Sequence, residues 1–168
     1  SINIITDRLN VLGQSQIETS TEYRATNLEE LDLVGGLGGD LSIDAEEIYL
    51  INGSLDVGTK GSGESGTANI KSDILLMKGG KINADASGES YATENRFTGG
   101  WEAFEVSGED TWQFATGDGP LVEINIGRIE LSEESRIDVK ATGAGDAGML
   151  SIETDFLELT GESKISSK

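Results

Sequence analysis

The stretch DLSIDAEEIYL (residues 40–50) carries two pairs of alternating apolar residues, and four other stretches of the chain repeat this pattern. These are SINIITDRLNV (1–11), TANIKSDILLM (67–77), LVEINIGRIEL (121–131) and MLSIETDFLEL (149–159). A short step then leads to a third pair of alternating positions, in IET (17–19), LDV (55–57), INA (82–84), IDV (137–139) and ISS (165–167). All these alternating positions are apolar except Thr19 and Ser167.

The spacing of the copies predicts a solenoid. Alternation with a period of two indicates strands, and a repeat that cannot bury its apolar side alone must stack on its neighbours. Each copy has an isoleucine as the second residue of its first apolar pair, and these isoleucines, at positions 4, 43, 70, 124 and 152, lie 39, 27, 54 and 28 residues apart. We therefore predict an all-β fold, a right-handed parallel β-helix whose three-strand coils take about 27 residues. The longer intervals predict insertions near residues 20–38 and 85–119. A β-sandwich is the alternative, but it predicts antiparallel hairpins in place of this long period.

The composition excludes several functions. The chain has 12 Lys and Arg against 31 Asp and Glu, a net charge of −19, which repels nucleic acid and anionic membranes. There is no His and no Cys, so His-dependent catalytic triads and disulfides are both excluded. No apolar run is long enough to cross a membrane as a helix, and we expect neither a membrane-spanning segment nor a nucleic-acid partner.

The glycines of the chain predict turns between strands. Two strings fit the GxGxxG pattern, GSGESG (61–66) and GAGDAG (143–148), but a strand pattern follows each of them where a dinucleotide site needs a helix. The sequence also begins and ends inside a repeat. We therefore expect residues 1–168 to be a single segment of a longer solenoid, since a bare end would leave an open sheet edge.

The repeats resemble those of filamentous haemagglutinin-like exoproteins, in particular the cyanobacterial type. The stretches that carry this resemblance are GGDLSIDAEEIYLINGSLDV (38–57) and GAGDAGMLSIETDFLELTGESKISS (143–167). The resemblance implies a large protein of a Gram-negative bacterium, secreted by a two-partner system and located extracellularly or on the outer cell surface. An outer-membrane secretion partner and a role in adhesion are implied with it.

An acidic position follows the first apolar pair of four repeats. The residues are Asp7, Glu46, Asp73 and Asp155, and the fifth repeat has Gly127 there. Stacked repeats would place these carboxylates about 4.8 Å apart along a ladder. Such a ladder is either a solvated corner or a loose Ca²⁺ site, because adjacent carboxylates repel unless water or a cation separates them. Calcium is the one cofactor that we consider.

The second insertion holds most of the aromatic residues. The run WEAFEVSGEDTWQFATGDG (101–119) predicts two strands joined by SGED in a β-hairpin. Its aromatic side chains form either a small core of the insertion or a platform that stacks on the rings of a surface glycan. The platform would consist of Trp101, Phe104, Trp112 and Phe114.

These observations favour a structural or adhesive stalk segment over an enzyme. Acidic residues are abundant, but no pair or triad stands out by its spacing. The alternatives are a polysaccharide-active β-helix enzyme, either a lyase or a hydrolase, and a passive spacer without a ligand.

Overall fold

The protein is all-β, as the sequence predicts, and its main sheets are parallel. The computed structural model describes residues 1–19, 21–22, 38–60, 65–87, 94–95, 100–101, 105–106, 109–110, 119–142 and 148–168, and these include no helix. The strands are β1 (Ile2–Leu12), β2 (Gln16–Glu18), β3 (Thr21–Glu22), β4 (Leu41–Ile51), β5 (Ser54–Lys60), β6 (Thr67–Lys78), β7 (Lys81–Ser87), β8 (Glu94–Asn95), β9 (Gly100–Trp101), β10 (Glu105–Val106), β11 (Glu109–Asp110), β12 (Leu121–Ser132), β13 (Arg136–Thr142), β14 (Met149–Glu153), β15 (Phe156–Leu159) and β16 (Lys164–Ser167).

The first sheet pairs equivalent positions of successive repeats. Its order is β1-β4-β6-β12-β14, with β15 also paired to β12, and every pairing is parallel. Ile43 aligns with Ile4 on one side and with Ile70 on the other. Ile124 lies between Ile70 and Ile152 in the same way. The repeat frame therefore predicts the register of this sheet residue by residue.

The second sheet keeps the same order of repeats. Its strands run β16-β13-β7-β5-β2, and β3 also pairs with β5. Leu55 aligns with Ile17 and Ile82, and Ile137 aligns with Ile82 and Ile165. Each repeat thus contributes one strand to each sheet at the same place in the order, with two exceptions. The first repeat contributes both β2 and β3 to the second sheet, and the first strand of the last repeat is split into β14 and β15.

A corner inside the long strands replaces the predicted break between the first two apolar pairs. In four repeats these pairs lie on one continuous strand of 11 or 12 residues, not on two separate strands. The residue pairing omits one position, going from Thr6–Ala45 directly to Arg8–Glu47. The alternation of buried and exposed side chains shifts by one position there. Ile43 and Ala45, at odd positions, are buried before the corner, and Ile48, at an even position, is buried after it. The chain bends at this position while the hydrogen-bonded strand continues.

The core lies between the two sheets and is built from the predicted inward positions. Twenty-one apolar residues among those that the structure describes are buried, and they form one cluster. Ala45 and Ile126 belong to it although the repeat frame does not include them. In the last repeat Leu157 and Leu159 are 44% and 40% exposed, because β15 lies at the edge of the first sheet.

The third strand of each central repeat is longer than the sequence predicts. β5, β7 and β13 have seven residues each, and Asp85–Ser87 pair with Gly58–Lys60. β3 extends the first repeat to Glu22 by pairing with Thr59–Lys60. This pairing reaches Glu22 and Ser87, which lie inside the ranges 20–38 and 85–119 that were assigned to the insertions. Within the second one β8 pairs with β9 and β10 pairs with β11, both antiparallel. Glu109 and Asp110, which were assigned to the turn of the predicted hairpin, lie on strand β11.

Candidate functional site

The predicted acidic residues lie at the corner of the first sheet. Asp7, Glu46, Asp73 and Asp155 are all exposed, and they occupy the position that the pairing of adjacent strands omits. Gly127 takes this position in the repeat between Asp73 and Asp155. The four carboxylates therefore point outward from one edge.

Hydroxyl groups one residue earlier hold the corner in place. Ser72 Oγ lies 2.9 Å from the carbonyl oxygen of Glu46 in the adjacent repeat and 2.8 Å from that of Ile74. Thr154 Oγ1 makes the same two contacts, at 3.2 Å to Gly127 and 2.9 Å to Phe156. These contacts link the corner to the adjacent repeat and to the residue after the bend, beside the backbone hydrogen bond from Asp155 N to the Gly127 carbonyl oxygen, which gives the corner a structural role of its own.

Within the described ranges, no three acidic side chains come close enough together to hold a metal ion. The carboxylates of the corner are exposed to solvent, and each repeat contributes at most one of them at this position. The calcium ladder remains a prediction from the sequence.

The predicted aromatic platform lies almost wholly outside the described residues. Phe104, Trp112 and Phe114 fall outside them, and of Trp101 only the backbone, on strand β9, is described. The platform is therefore a prediction that the geometry does not address.

A second group of aromatic and apolar residues lies on the outer face of the first sheet, beyond the corner. We call it the outer strip. It comprises two adjacent columns of paired residues: Arg8, Glu47, Ile74, Arg128 and Phe156, and Asn10, Tyr49, Leu76, Glu130 and Glu158. The outward positions of a sheet that has one face in solvent are normally polar. Here Tyr49, Ile74 and Leu76 are only half-buried and Phe156 is 41% exposed, so the strip presents apolar surface to solvent.

At one end of the outer strip, an arginine, a glutamate and a tyrosine form a connected cluster. Arg8 Nε donates to Glu47 Oε2 at 2.7 Å, and the Tyr49 hydroxyl donates to the same oxygen at 3.2 Å. The Arg8 guanidinium lies 5.7 Å from the centre of the Tyr49 ring. The hydrogen bond to Glu47, with its negative charge, raises the pKa of Arg8 above its ordinary value. Arg8 therefore stays charged and fixes the orientation of the ring.

The other end of the outer strip repeats this chemistry three repeats away. The Arg128 guanidinium lies 4.2 Å from the centre of the Phe156 ring, and Arg128 Nε donates to Glu130 Oε1 at 2.5 Å. Between the two ends, Ile74 and Leu76 form an apolar floor in the middle repeat. The strip thus has two oriented rings with charged, hydrogen-bonding groups beside them, an arrangement suited to stacking on a flat polar ligand.

The outer strip is not among the sites predicted from the sequence. Its signal is present in EEIYL (46–50) and DILLM (73–77), where apolar residues occupy outward as well as inward positions. From the sequence alone, each of these two stretches predicts a strand that is buried on both faces.

Comparison of the chain with protein-family models, with curated proteins and with solved structures found no match. In the part of the chain that the structure describes, no helix has the length and apolar character needed to cross a membrane.

Proposed function

We propose that the chain is a parallel β-helix that serves as a structural and adhesive stalk segment of a secreted bacterial surface protein. Two features support the β-helix. Both sheets carry the five repeats in the same order, and equivalent residues are aligned in each sheet. A chain that visits two parallel sheets alternately, and advances by one repeat each time, follows a solenoid path. The expected sense of coiling is right-handed.

The observation that carries the function is the in-register stacking itself. Each repeat adds about 4.8 Å along one direction and buries the apolar side of its neighbour. The acidic exterior, at a net charge of −19, keeps such a body in solution. The resemblance to filamentous haemagglutinin-like exoproteins agrees with this proposal, and it implies a location outside the cell and export through an outer-membrane partner.

Stacking also aligns the outer strip along the direction of the stalk, where it is available for adhesion. Tyr49 and Phe156 lie three repeats apart, a separation of about 14 Å at 4.8 Å per repeat. Sugar rings have apolar faces and polar edges, so they can stack on these rings while hydrogen bonding to Glu47 or Arg128. The outer strip is therefore the adhesive surface of our proposal, and its ligand is a neutral surface glycan.

We expect the Tyr49→Ala/Phe156→Ala double variant to lose at least tenfold in affinity for the neutral glycans that the native chain binds on a glycan array. One lost stacking contact is worth about 1 kcal/mol, and two of them together account for this factor. Binding constants for the best array ligand would be measured by calorimetry. The matched control is Ile5→Ala, which removes an apolar side chain that is 78% exposed on the same sheet but outside the strip.

The proposal fails if no neutral glycan binds the native chain. It also fails if the double variant keeps the native affinity while its circular dichroism spectrum shows an intact fold. Equal losses in the double variant and in Ile5→Ala would mean that the strip has no special role.

A further inference from the structure

We infer that the outer face of the second sheet carries a separate binding site for an acidic polysaccharide, one whose sugar units bear carboxylates. The juxtaposition that supports it is a column of three cations, Lys81, Arg136 and Lys164, stacked on strands β7, β13 and β16. This inference adds acidic polysaccharides to the ligands of the proposed adhesive function. It rests on that function only in taking the ligand to be a glycan.

The three cations are unusual in this chain. Only 12 of its 168 residues are Lys or Arg. Neighbouring side chains of one column in a parallel sheet are about 4.8 Å apart, so three like charges in succession repel one another. The arrangement becomes favourable once an anion lies across the column.

The described carboxylates form no salt bridge with the column. Among the described side chains, the salt bridges are Arg8–Glu47 and Arg128–Glu130, and neither involves these three cations. In the adjacent column of the sheet, the carboxylates of Asp56 and Asp138 accept hydrogen bonds from neutral donors instead. Asp56 accepts hydrogen bonds from Asn83 at 2.7 Å and from Ser54 at 2.5 Å, and Asp138 accepts one from Ser166. The cations therefore remain available to a ligand.

A groove lies against the same column. It has a volume of about 500 Å³ and is open to solvent. Its lining residues are Asn52, Gly79, Lys81, Asn83, Glu133, Glu134, Arg136, Asp138 and Lys140. Glu133 and Glu134 both have a positive φ, at 56° and 62°, a backbone conformation that is costly for residues other than glycine. This turn places two acidic side chains on the rim.

The lining favours a sugar acid over other anions. Arg136 offers the planar donor pair that matches a carboxylate, and Lys81 and Lys140 add charge beside it. The carboxylates of Asp138, Glu133 and Glu134 can accept hydrogen bonds from sugar hydroxyls, which a phosphodiester chain supplies sparsely. The net charge of −19 also opposes binding of nucleic acid over longer distances.

The test is calorimetric titration with short oligogalacturonates. We expect the native chain to bind them, with an affinity that falls as salt is raised, and Arg136→Gln to weaken binding roughly tenfold by removing charge-assisted hydrogen bonds. Lys71→Gln is the matched control, since Lys71 is an exposed cation on the other sheet. If Arg136→Gln does not fold by circular dichroism, Lys164→Gln replaces it, because Lys164 is exposed near the end of the chain.

The inference is overturned if the native chain does not bind oligogalacturonate, if Lys71→Gln weakens binding as much as the column variants do, or if single-stranded DNA binds as tightly. Its failure is distinct from failure of the outer strip. The neutral glycans of the array should bind Arg136→Gln normally, and oligogalacturonate should bind Tyr49→Ala/Phe156→Ala normally.

Discussion

Replacing Ile70 by alanine should lower the free energy of unfolding by about 3–4 kcal/mol. Ile70 is fully buried in the middle repeat and is aligned with Ile43 on one side and Ile124 on the other. Truncation therefore opens a cavity between three stacked side chains that the parallel sheets cannot close by a local shift. A loss of this size is a large part of the stability of an ordinary domain, so the variant should unfold at a much lower concentration of urea.

Ile5→Ala is the control for this measurement, because it removes the same atoms from an outward position. The Ile5 side chain is 78% exposed, and the expected change is within about 0.5 kcal/mol. If Ile70→Ala costs no more than Ile5→Ala, Ile70 does not lie in the core and the assigned register is wrong.

The second large effect is expected for Gly66→Ala. A Cβ atom at Gly66 would lie 2.2 Å from the carbonyl oxygen of Gly39 and 2.7 Å from its carbonyl carbon, both atoms of the backbone. Because Gly39 and Gly66 lead into the adjacent strands β4 and β6, neither backbone can move without disturbing the pairing of Leu41 with Ala68. We expect a loss of about 2–3 kcal/mol, measured by urea denaturation.

Gly13→Asn is the matched control for Gly66→Ala. Apart from Gly13 itself and its two chain neighbours, no described heavy atom lies within 4 Å of a Cβ at Gly13, and its φ of 68° is one that asparagine tolerates. We therefore expect only a small loss, of less than about 1 kcal/mol. Similar losses in the two variants would show that close approach of the backbones at Gly66 does not limit stability.

The register of the sheets could be predicted from the sequence because it depends on a repeated pattern. A shift of one residue would turn one apolar pair of each alignment outward, so such a shift is excluded for pairs such as Ile43–Ile70. Even the interval of 54 residues between Ile70 and Ile124 did not obscure this alignment, since the pattern resumes after the insertion.

The corner could not be predicted from the same pattern. When alternating apolar residues are interrupted for a few positions, the sequence predicts a break between two strands. The hydrogen-bonded strand in fact continues through a bend. Whether Ala45 and Ile126 face inward there depends on the geometry of the bend, and in the other repeats Thr6, Ser72 and Thr154 take this position.

The candidate sites were missed for a related reason. The outer strip and the cation column each join residues that are 27 or more positions apart, and only the stacking brings them together. Lys81 and Arg136, for example, are ordinary turn-flanking residues in the sequence, and their alignment appears only when the third strands are superposed. The sequence drew attention instead to the aromatic-rich insertion, most of which lies outside the described residues.

The most direct test of in-register parallel stacking uses cysteine pairs, which the Cys-free sequence permits without background. In the structure Ser42 pairs with Asn69 and Asp44 pairs with Lys71. The variants Ser42→Cys/Asn69→Cys and Asp44→Cys/Lys71→Cys place Cα atoms about 4.8 Å apart, within reach of a disulfide. The crossed variant Ser42→Cys/Lys71→Cys places them about 8 Å apart, which is too far.

The measurement is the yield of intramolecular disulfide under mild oxidation of the folded protein. The account predicts that both aligned pairs form the disulfide and that the crossed pair does not. An antiparallel arrangement would align at most one of the two direct pairs and would favour the crossed one. A high yield for the crossed pair together with a low yield for either direct pair would contradict the stacking on which the fold and both proposed sites depend.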